Sequence, residues 1–307
     1  MRPYTPGELT VHHSPAELAK VTRALRATGR KVNLVPTMGA LHEGHRTLIR
    51  RARRVAGSVT VVSIFVNPLQ FGPNEDFHRY PRPLEADLDA CREEGVELVF
   101  NPAPEQMYGS TPGTTVQAGP LGAELEGAVR PGHFEGVLTV VNKLLNIVRP
   151  DFAYFGEKDY QQFVLVKRMV EDLNMETRIV AVPTVRDEDG LALSSRNAYL
   201  SEDERRAALC VPRALAEGIQ AGPGGPEAIL AAVRAAVEAE PGLVLDYAEL
   251  RAKDLGPAPE NGKGRLLLAA RAGRTRLLDN TSVAVGHGVD LDDDTFNPTA
   301  GLPLQER

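Results

Sequence analysis

Within the first 182 residues, short apolar runs alternate with amphipathic stretches, and this alternation restricts the fold more than any other feature of the chain. The runs at 32–35, 59–66, 96–100, 152–155 and 179–182 are dominated by Val, Ile, Leu, Phe and Ala and read as strands buried on both faces. Between them, 47–56, 84–94, 137–148 and 160–173 carry apolar residues at helical spacing. Strand, helix and strand in repetition make βαβ units with right-handed crossovers. The expected fold class is therefore α/β, a Rossmann-like doubly wound parallel sheet, with ligands at the carboxyl ends of its strands. Three polar clusters fall at those ends: 37–45 after the first run, 67–70 after the second and 156–159 after the fourth.

After about Val185 the pattern changes. Residues 201–220 and 226–240 read as helices around the linker Gly222-Pro223-Gly224-Gly225, with Pro212 placed to kink or split the first. Three β-like runs follow at 243–250, 265–270 and 274–279, which suggests a smaller C-terminal α+β domain with an antiparallel sheet. The expected organisation is 1–184 as the Rossmann-like catalytic domain, 185–285 as a small α+β lid domain, and 286–307 as a disordered tail containing the acidic stretch 290–294.

Composition narrows the class. A net charge of −6 argues against a general nucleic-acid or anionic-membrane binder. The first residues lack the apolar core of a signal peptide, and no apolar run is long enough to cross a bilayer. With only Cys91 and Cys210, neither a disulfide framework nor a thiolate metal site is expected, and a cytoplasmic setting fits best.

The chemistry concentrates in Val35-Pro36-Thr37-Met38-Gly39-Ala40-Leu41-His42-Glu43-Gly44-His45. A strand expected to stop at Pro36 leads into a turn and then a helix start, where unpaired backbone N–H groups bind phosphate. His42 and His45 sit three apart and could share a metal, but zinc needs further ligands and only Glu43 is local. Phosphate contact is the better reading, because an imidazole can stabilise charge building on a phosphoryl oxygen. Lys158, between Gly156 and a helix start, suits a phosphate clamp, and Asp159 suits the helix N-cap. The tract 190–197, with Ser194, Ser195 and Arg196, suits either a triphosphate grip or a plain polar turn. Gln70 and Gln162 can bond a hydroxyl or carboxylate without pairing its charge, which keeps a carboxylate nucleophilic. The dense row Arg46, Arg50, Arg51, Arg53 and Arg54 reads first as a solvated helix face and second as an RNA patch.

With Ser63-Ile64-Phe65-Val66-Asn67-Pro68-Leu69-Gln70-Phe71, Tyr80-Pro81-Arg82, Phe155-Gly156-Glu157-Lys158-Asp159-Tyr160-Gln161-Gln162 and Leu193-Ser194-Ser195-Arg196-Asn197, the histidine motif forms an ordered set that resembles the pantothenate synthetase family, the pantoate–β-alanine ligases. The resemblance spans about His13 to Thr281. It implies attack of pantoate on the α-phosphate of MgATP, then displacement of AMP by β-alanine, in a homodimeric enzyme whose 1–184 domain binds ATP and pantoate. It implies ATP contact by Pro36, Thr37, Met38, Gly39, Ala40, Leu41, His42, Glu43, Gly44 and His45, with His45 as proton donor. Gly156, Glu157, Lys158, Asp159, Val185, Leu193, Ser194, Ser195 and Arg196 complete the implied ATP set. Of these His42, His45, Lys158, Ser194, Ser195 and Arg196 are the implied catalytic groups. Pantoate would lie on Gln70, Gln162, Met38, Asn67 and His133, and β-alanine near Gln70; the Mg²⁺ ligands stay unassigned. Leu193 stands where the family commonly has Met, and Pro83 where it has Thr. An adenylyltransferase acting on a phosphate ester would share the histidine motif alone; an aminoacyl-tRNA synthetase relative or a silent nucleotide binder are weaker alternatives.

Overall fold

Val59, Val61, Val62 and Ile64 are all buried, so the run that contains them has two covered faces, as a central parallel strand requires. In the computed structural model, which describes residues 4–73, 75–110 and 113–288, it forms β3 (Ser58–Ile64). The order of elements in the first part is β1 (Thr10–His12), α1 (Pro15–Ala27), β2 (Lys31–Thr37), α2 (Glu43–Arg53), β3, α3 (Leu84–Glu93), β4 (Leu98–Phe100), α4 (Pro104–Tyr108), α5 (Glu126–Val129), α6 (His133–Val148), β5 (Phe152–Gly156), α7 (Tyr160–Asp172) and β6 (Arg178–Val182). The sheet order is β1-β4-β3-β2-β5-β6, and every pairing is parallel. The chain order reverses at β2, so the turn that follows β2 lies where open α/β sheets bind ligands.

The parallel α/β expectation is met, with local corrections. β2 does not stop at Pro36 but runs through it to Thr37, paired with Ser63 and Ile64 of β3. On its other side β2 meets β5 only at Asn33 and Leu34, so the donor that proline lacks is not needed there. The three-residue edge strand β1, paired with β4, is too short to produce a readable period. α6 is buried nearly all round, through Phe134, Val137, Leu138, Val141, Leu144, Leu145 and Val148. Gly136 lets this helix back onto the 3-10 turn Pro68–Gln70, since a Cβ there would lie 2.2 Å from the Leu69 carbonyl oxygen.

Two compact units emerge: 4–157 with Leu165–Val182, and Lys158–Val164 with 183–288. The second unit contains α8 (Glu202–Ala208), α9 (Cys210–Gln220), α10 (Gly225–Glu238) and the antiparallel sheet β7 (Leu243–Arg251), β8 (Gly262–Ala272) and β9 (Thr275–Val285). The single long helix 201–220 is split at Leu209, and Pro212 falls in the first turn of α9, where its missing N–H costs little. Ser201 and Glu204 form a reciprocal cap at the start of α8. One face of the sheet packs Leu250, Leu266, Leu268 and Val283 with Val211, Leu215, Ile229 and Val233 of α9 and α10. The acidic stretch 290–294, read as part of a tail, lies outside the described residues.

Candidate active site

The turn after β2 is built by hydrogen bonds to main-chain atoms. Thr37 donates its hydroxyl to the Ser63 carbonyl at 2.6 Å and accepts from the Gly39 N–H at 3.2 Å. Gly39 has φ +87°, and a Cβ there would stand 2.8 Å from Asp87 Oδ2, so glycine is needed both for conformation and for space. Ala40 follows at φ +50°. Asp87, on α3 and 2% exposed, accepts from the N–H groups of Ala40 at 2.9 Å and Leu41 at 2.7 Å. Burial pushes the Asp87 carboxyl above the usual range, opposed in part by those two donors.

His42 is the N-cap of α2 and His45 stands three residues on. The Gly44 N–H donates to His42 Nδ1 at 3.2 Å, and the His42 N–H donates to His45 Nδ1 at 3.3 Å. With both Nδ1 atoms accepting, a neutral ring at either position carries its proton on Nε2. The rings lie 4.1 Å apart between centroids. Among the described residues no group of three or more His, Cys, Asp or Glu side chains is placed to hold a metal ion.

Around Gln70 the first unit assembles Met38, Asn67 and His133. Gln70 Oε1 accepts from Asn67 Nδ2 at 3.0 Å, and Gln70 Nε2 donates to Met38 Sδ at 3.2 Å. Asn67 is held by the Tyr108 hydroxyl at 2.7 Å and itself donates to the Gly136 carbonyl at 3.0 Å. His133 Nδ1 lies 2.8 Å from the Gln70 carbonyl oxygen and its Nε2 3.0 Å from Arg130. Burial, reinforced by the Arg130 guanidinium, lowers the His133 pKa to about 4. The neutral ring donates from Nδ1 to the Gln70 carbonyl and accepts at Nε2 from Arg130, which itself donates to the Gln70 carbonyl at 3.3 Å. Arg130 in turn pairs with Glu75 at 2.8 Å.

Gly156 ends β5 and Glu157 opens the 3-10 turn Glu157–Asp159. In the second unit, Lys158 Nζ lies 3.3 Å from Asp159 Oδ1, and the Lys158 carbonyl accepts from Asn280 Nδ2 at 2.9 Å. Gln162 sits half-buried in the first turn of α7. The Leu193 N–H bonds to the Val185 carbonyl at 2.9 Å, closing a loop that Arg186 anchors on buried Asp279 at 2.6 and 2.9 Å. Ser194 Oγ accepts from the Arg196 N–H at 3.3 Å and caps the 3-10 turn Ser195–Tyr199.

Within the arginine row of α2, Arg46 and Arg50 are paired with acids. Arg46 reaches Glu94 at 2.6 Å and Glu93 at 2.9 Å, Arg50 pairs with Glu94 and Glu43, and Arg53 donates to the Glu94 carbonyl at 2.7 Å. Burial raises the Glu94 pKa, but the bonds from Arg50 and Arg46 outweigh it and hold the carboxyl low. Among the described residues no helix is long and apolar enough to cross a membrane.

Sequence reasoning missed Asp87, Tyr108, Arg130, Asp279 and Asn280, each of which acts on residues far away in the chain. The sequence profile of the family described as pantoate-beta-alanine ligase matches residues 10–282. The pantothenate synthetase of Saccharopolyspora erythraea is 65% identical over 283 residues, which is 92% of this chain and 94% of the relative. The crystal structure of pantothenate synthetase from Thermus thermophilus has a TM-score of 0.83 at 47% identity, covering 89% of this chain and 99% of the other. Pantoate-beta-alanine ligase from Francisella tularensis, solved as a complex with beta-gamma ATP and beta-alanine, has a TM-score of 0.74 at 35% identity, covering 89% and 97%. A parallel sheet with the histidine turn at its point of reversal, and matches across nearly the whole length, have one explanation: the chain belongs to the pantoate–β-alanine ligase family.

Proposed function

We propose that this ligase works through a pantoyl adenylate, with the histidine turn on the phosphate and Gln70 on pantoate. Membership of the family makes the overall activity ATP-dependent formation of pantothenate. In the first step a pantoate carboxylate oxygen bonds to the α-phosphorus of MgATP and the bond to the bridging oxygen of pyrophosphate breaks. In the second, the β-alanine amine bonds to the acyl carbon, loses a proton, and AMP leaves as the amide forms.

The observation that carries the assignment is the engagement of both histidine Nδ1 atoms by backbone N–H groups. It turns an Nε2–H on each ring into the donor for an α-phosphoryl oxygen, alongside the positive end of α2. His45 is assigned as the proton donor and His42 as its partner. Pro36, Thr37, Met38, Gly39, Ala40, Leu41, Glu43 and Gly44 are assigned to ATP with them. In the second unit Lys158, Ser194, Ser195 and Arg196 are assigned to the phosphates, where cations and hydroxyls offset charge on an anion attacking a polyanion. Gly156, Glu157, Asp159, Val185 and Leu193 are assigned to ATP as supporting contacts.

Gln70 supports pantoate binding through its amide, fixed on Met38 and Asn67, and is also assigned to β-alanine. Gln162 is the second pantoate amide, and Met38, Asn67 and His133 are assigned to pantoate as supporting contacts beside Gln70. Mg²⁺ would enter with ATP and offset charge on its phosphates. A homodimer in the cytoplasm follows from the resemblance, and the two buried free cysteines suit a reducing compartment.

The test is release of pyrophosphate and AMP from ATP, Mg²⁺ and pantoate, with and without β-alanine. Pantoate-dependent pyrophosphate, with sustained AMP and pantothenate only when β-alanine is added, is the expected result. Folded protein that binds ATP and releases no pantoate-dependent pyrophosphate overturns the reading in favour of another adenylyl acceptor.

A further inference from the structure

Lys158 carries a further set of contacts, all within the second unit, that its local sequence does not announce. Its carbonyl oxygen accepts a hydrogen bond from Asn280 Nδ2 at 2.9 Å, across 122 residues of chain. Asn280 is 4% exposed and lies on β9 opposite Leu267 of β8. The orientation of its amide is fixed, because Oδ1 accepts from Arg265 Nε at 2.7 Å and from Arg265 Nη2 as well. A guanidinium only donates, so the amide oxygen must face Arg265 and the NH₂ must face Lys158.

Arg265 is in turn immobilised. It is 7% exposed, donates to Ser282 Oγ at 3.1 Å, and its guanidinium carbon stands 3.9 Å from the centroid of the Tyr160 ring. Tyr160, two residues after Lys158, donates its hydroxyl to the Lys253 carbonyl at 3.0 Å. The segment that bears the lysine is thus held at the Lys158 carbonyl by Asn280 and at the Tyr160 ring by Arg265. A main-chain carbonyl taken from water needs a donor, and Asn280 supplies it from β9 with an amide whose own orientation is set by Arg265. Two buried polar side chains with a determined orientation are a costly way to fill the space, and they fix the main chain at the residue whose amine matters.

We propose that Asn280, oriented by Arg265, is a positioning residue for Lys158 in the adenylation step. The inference rests on the assignment of Lys158 to the ATP phosphates. Holding the carbonyl fixes the Cα of Lys158 and so the root of its side chain, and small misplacements of a reacting group lower rate strongly.

Asn280→Asp separates this role from folding, because it keeps acceptors for Arg265 and replaces the donor facing Lys158 with a repelling oxygen. Pantoate-dependent pyrophosphate release is measured for wild type, N280D, K158A and the double variant, with thermal unfolding of each. The expected result for N280D is a kcat about tenfold lower with the KM for pantoate nearly unchanged, as for a lost transition-state contact. In the K158A background N280D is expected to cost less than about twofold, the non-additivity of a residue that acts through another. Wild-type turnover by N280D when K158A is impaired overturns the inference, as does an equal loss in both backgrounds. Full activity of K158A instead overturns the assignment of Lys158 itself. If N280D does not fold, Asn280→Ala, which leaves Arg265 on Ser282 and Tyr160, is read through the same cycle.

Discussion

Asp87 Oδ1 lies 2.7 Å from the backbone nitrogen of Leu41, and Oδ2 of the same carboxylate lies 2.9 Å from that of Ala40. One buried acid on α3 therefore closes the turn between β2 and the histidine-capped helix. The turn needs such a partner, because Gly39 and Ala40 both take positive φ and their neighbours' N–H groups have no strand to join.

Asp87→Ala removes both acceptors and leaves two N–H groups in a buried site. Each lost bond to a charged acceptor is worth about 1.5–3 kcal/mol. The variant is expected to unfold at lower temperature and to show a raised KM for ATP, with pantoate saturation affected less. Asp87→Asn should rank between, since its amide offers one acceptor and turns a donor on the other N–H. Calorimetry and ATP saturation curves check both; an unchanged ATP KM in folded D87A counts against a role for the turn in nucleotide binding.

Gly136→Ala tests the pantoate end. The added carbon would meet the Leu69 carbonyl oxygen at 2.2 Å and the Gln70 nitrogen at 2.6 Å, both backbone atoms that yield only by moving the turn. The expected outcome is loss of stability by about 1–3 kcal/mol, as for overpacking, together with a raised KM for pantoate. Steady-state kinetics at saturating ATP reads this directly.

The parallel sheet and the histidine turn were legible because both are local. Valine-rich runs signal buried strands, and a glycine between a strand and a helix signals a ligand turn. What was not legible comes from distant parts of the chain: Asp87 acts 46 residues from Leu41, His133 63 residues from Gln70, and Asn280 122 residues from Lys158. No local period marks any of these. The resemblance implies His133 near pantoate, and the structure adds that its two nitrogens engage Gln70 and Arg130. The acidic partners of the arginine row were not legible either, because Glu93 and Glu94 lie at the end of α3, more than 40 residues from Arg46.

His45→Ala should lower adenylate formation by about 10²–10⁴-fold, the range for a lost general acid or electrostatic donor. It also deletes the acceptor for the His42 N–H, so His45→Gln serves as a control that retains polarity. Single-turnover pyrophosphate release separates the effect from product release. Unchanged burst rates in His45→Ala remove the residue from the chemistry.

His133 makes a pH prediction whose sign follows from its environment. Its folded pKa is lowered to about 4 from an ordinary 6.5, by burial first and by Arg130 second, with the bond to the Gln70 carbonyl and then Glu75 and Glu126 opposing. Between these values the unfolded chain binds a proton that the folded ring refuses, so stability rises with pH. The contribution is complete above about pH 6.5 and is lost as pH falls toward 4, up to a bound of about 3 kcal/mol. His133→Asn places an amide N–H where Nδ1–H stood and does not titrate. Wild type is therefore expected to lose more stability than H133N between pH 7.5 and pH 5, measured by denaturant unfolding at each pH. With a folded pKa of about 4 the native ring stays neutral down to pH 5, so pantoate KM should stay flat over the same interval in wild type and H133N alike. Parallel stability profiles for the two proteins would overturn the lowered His133 pKa.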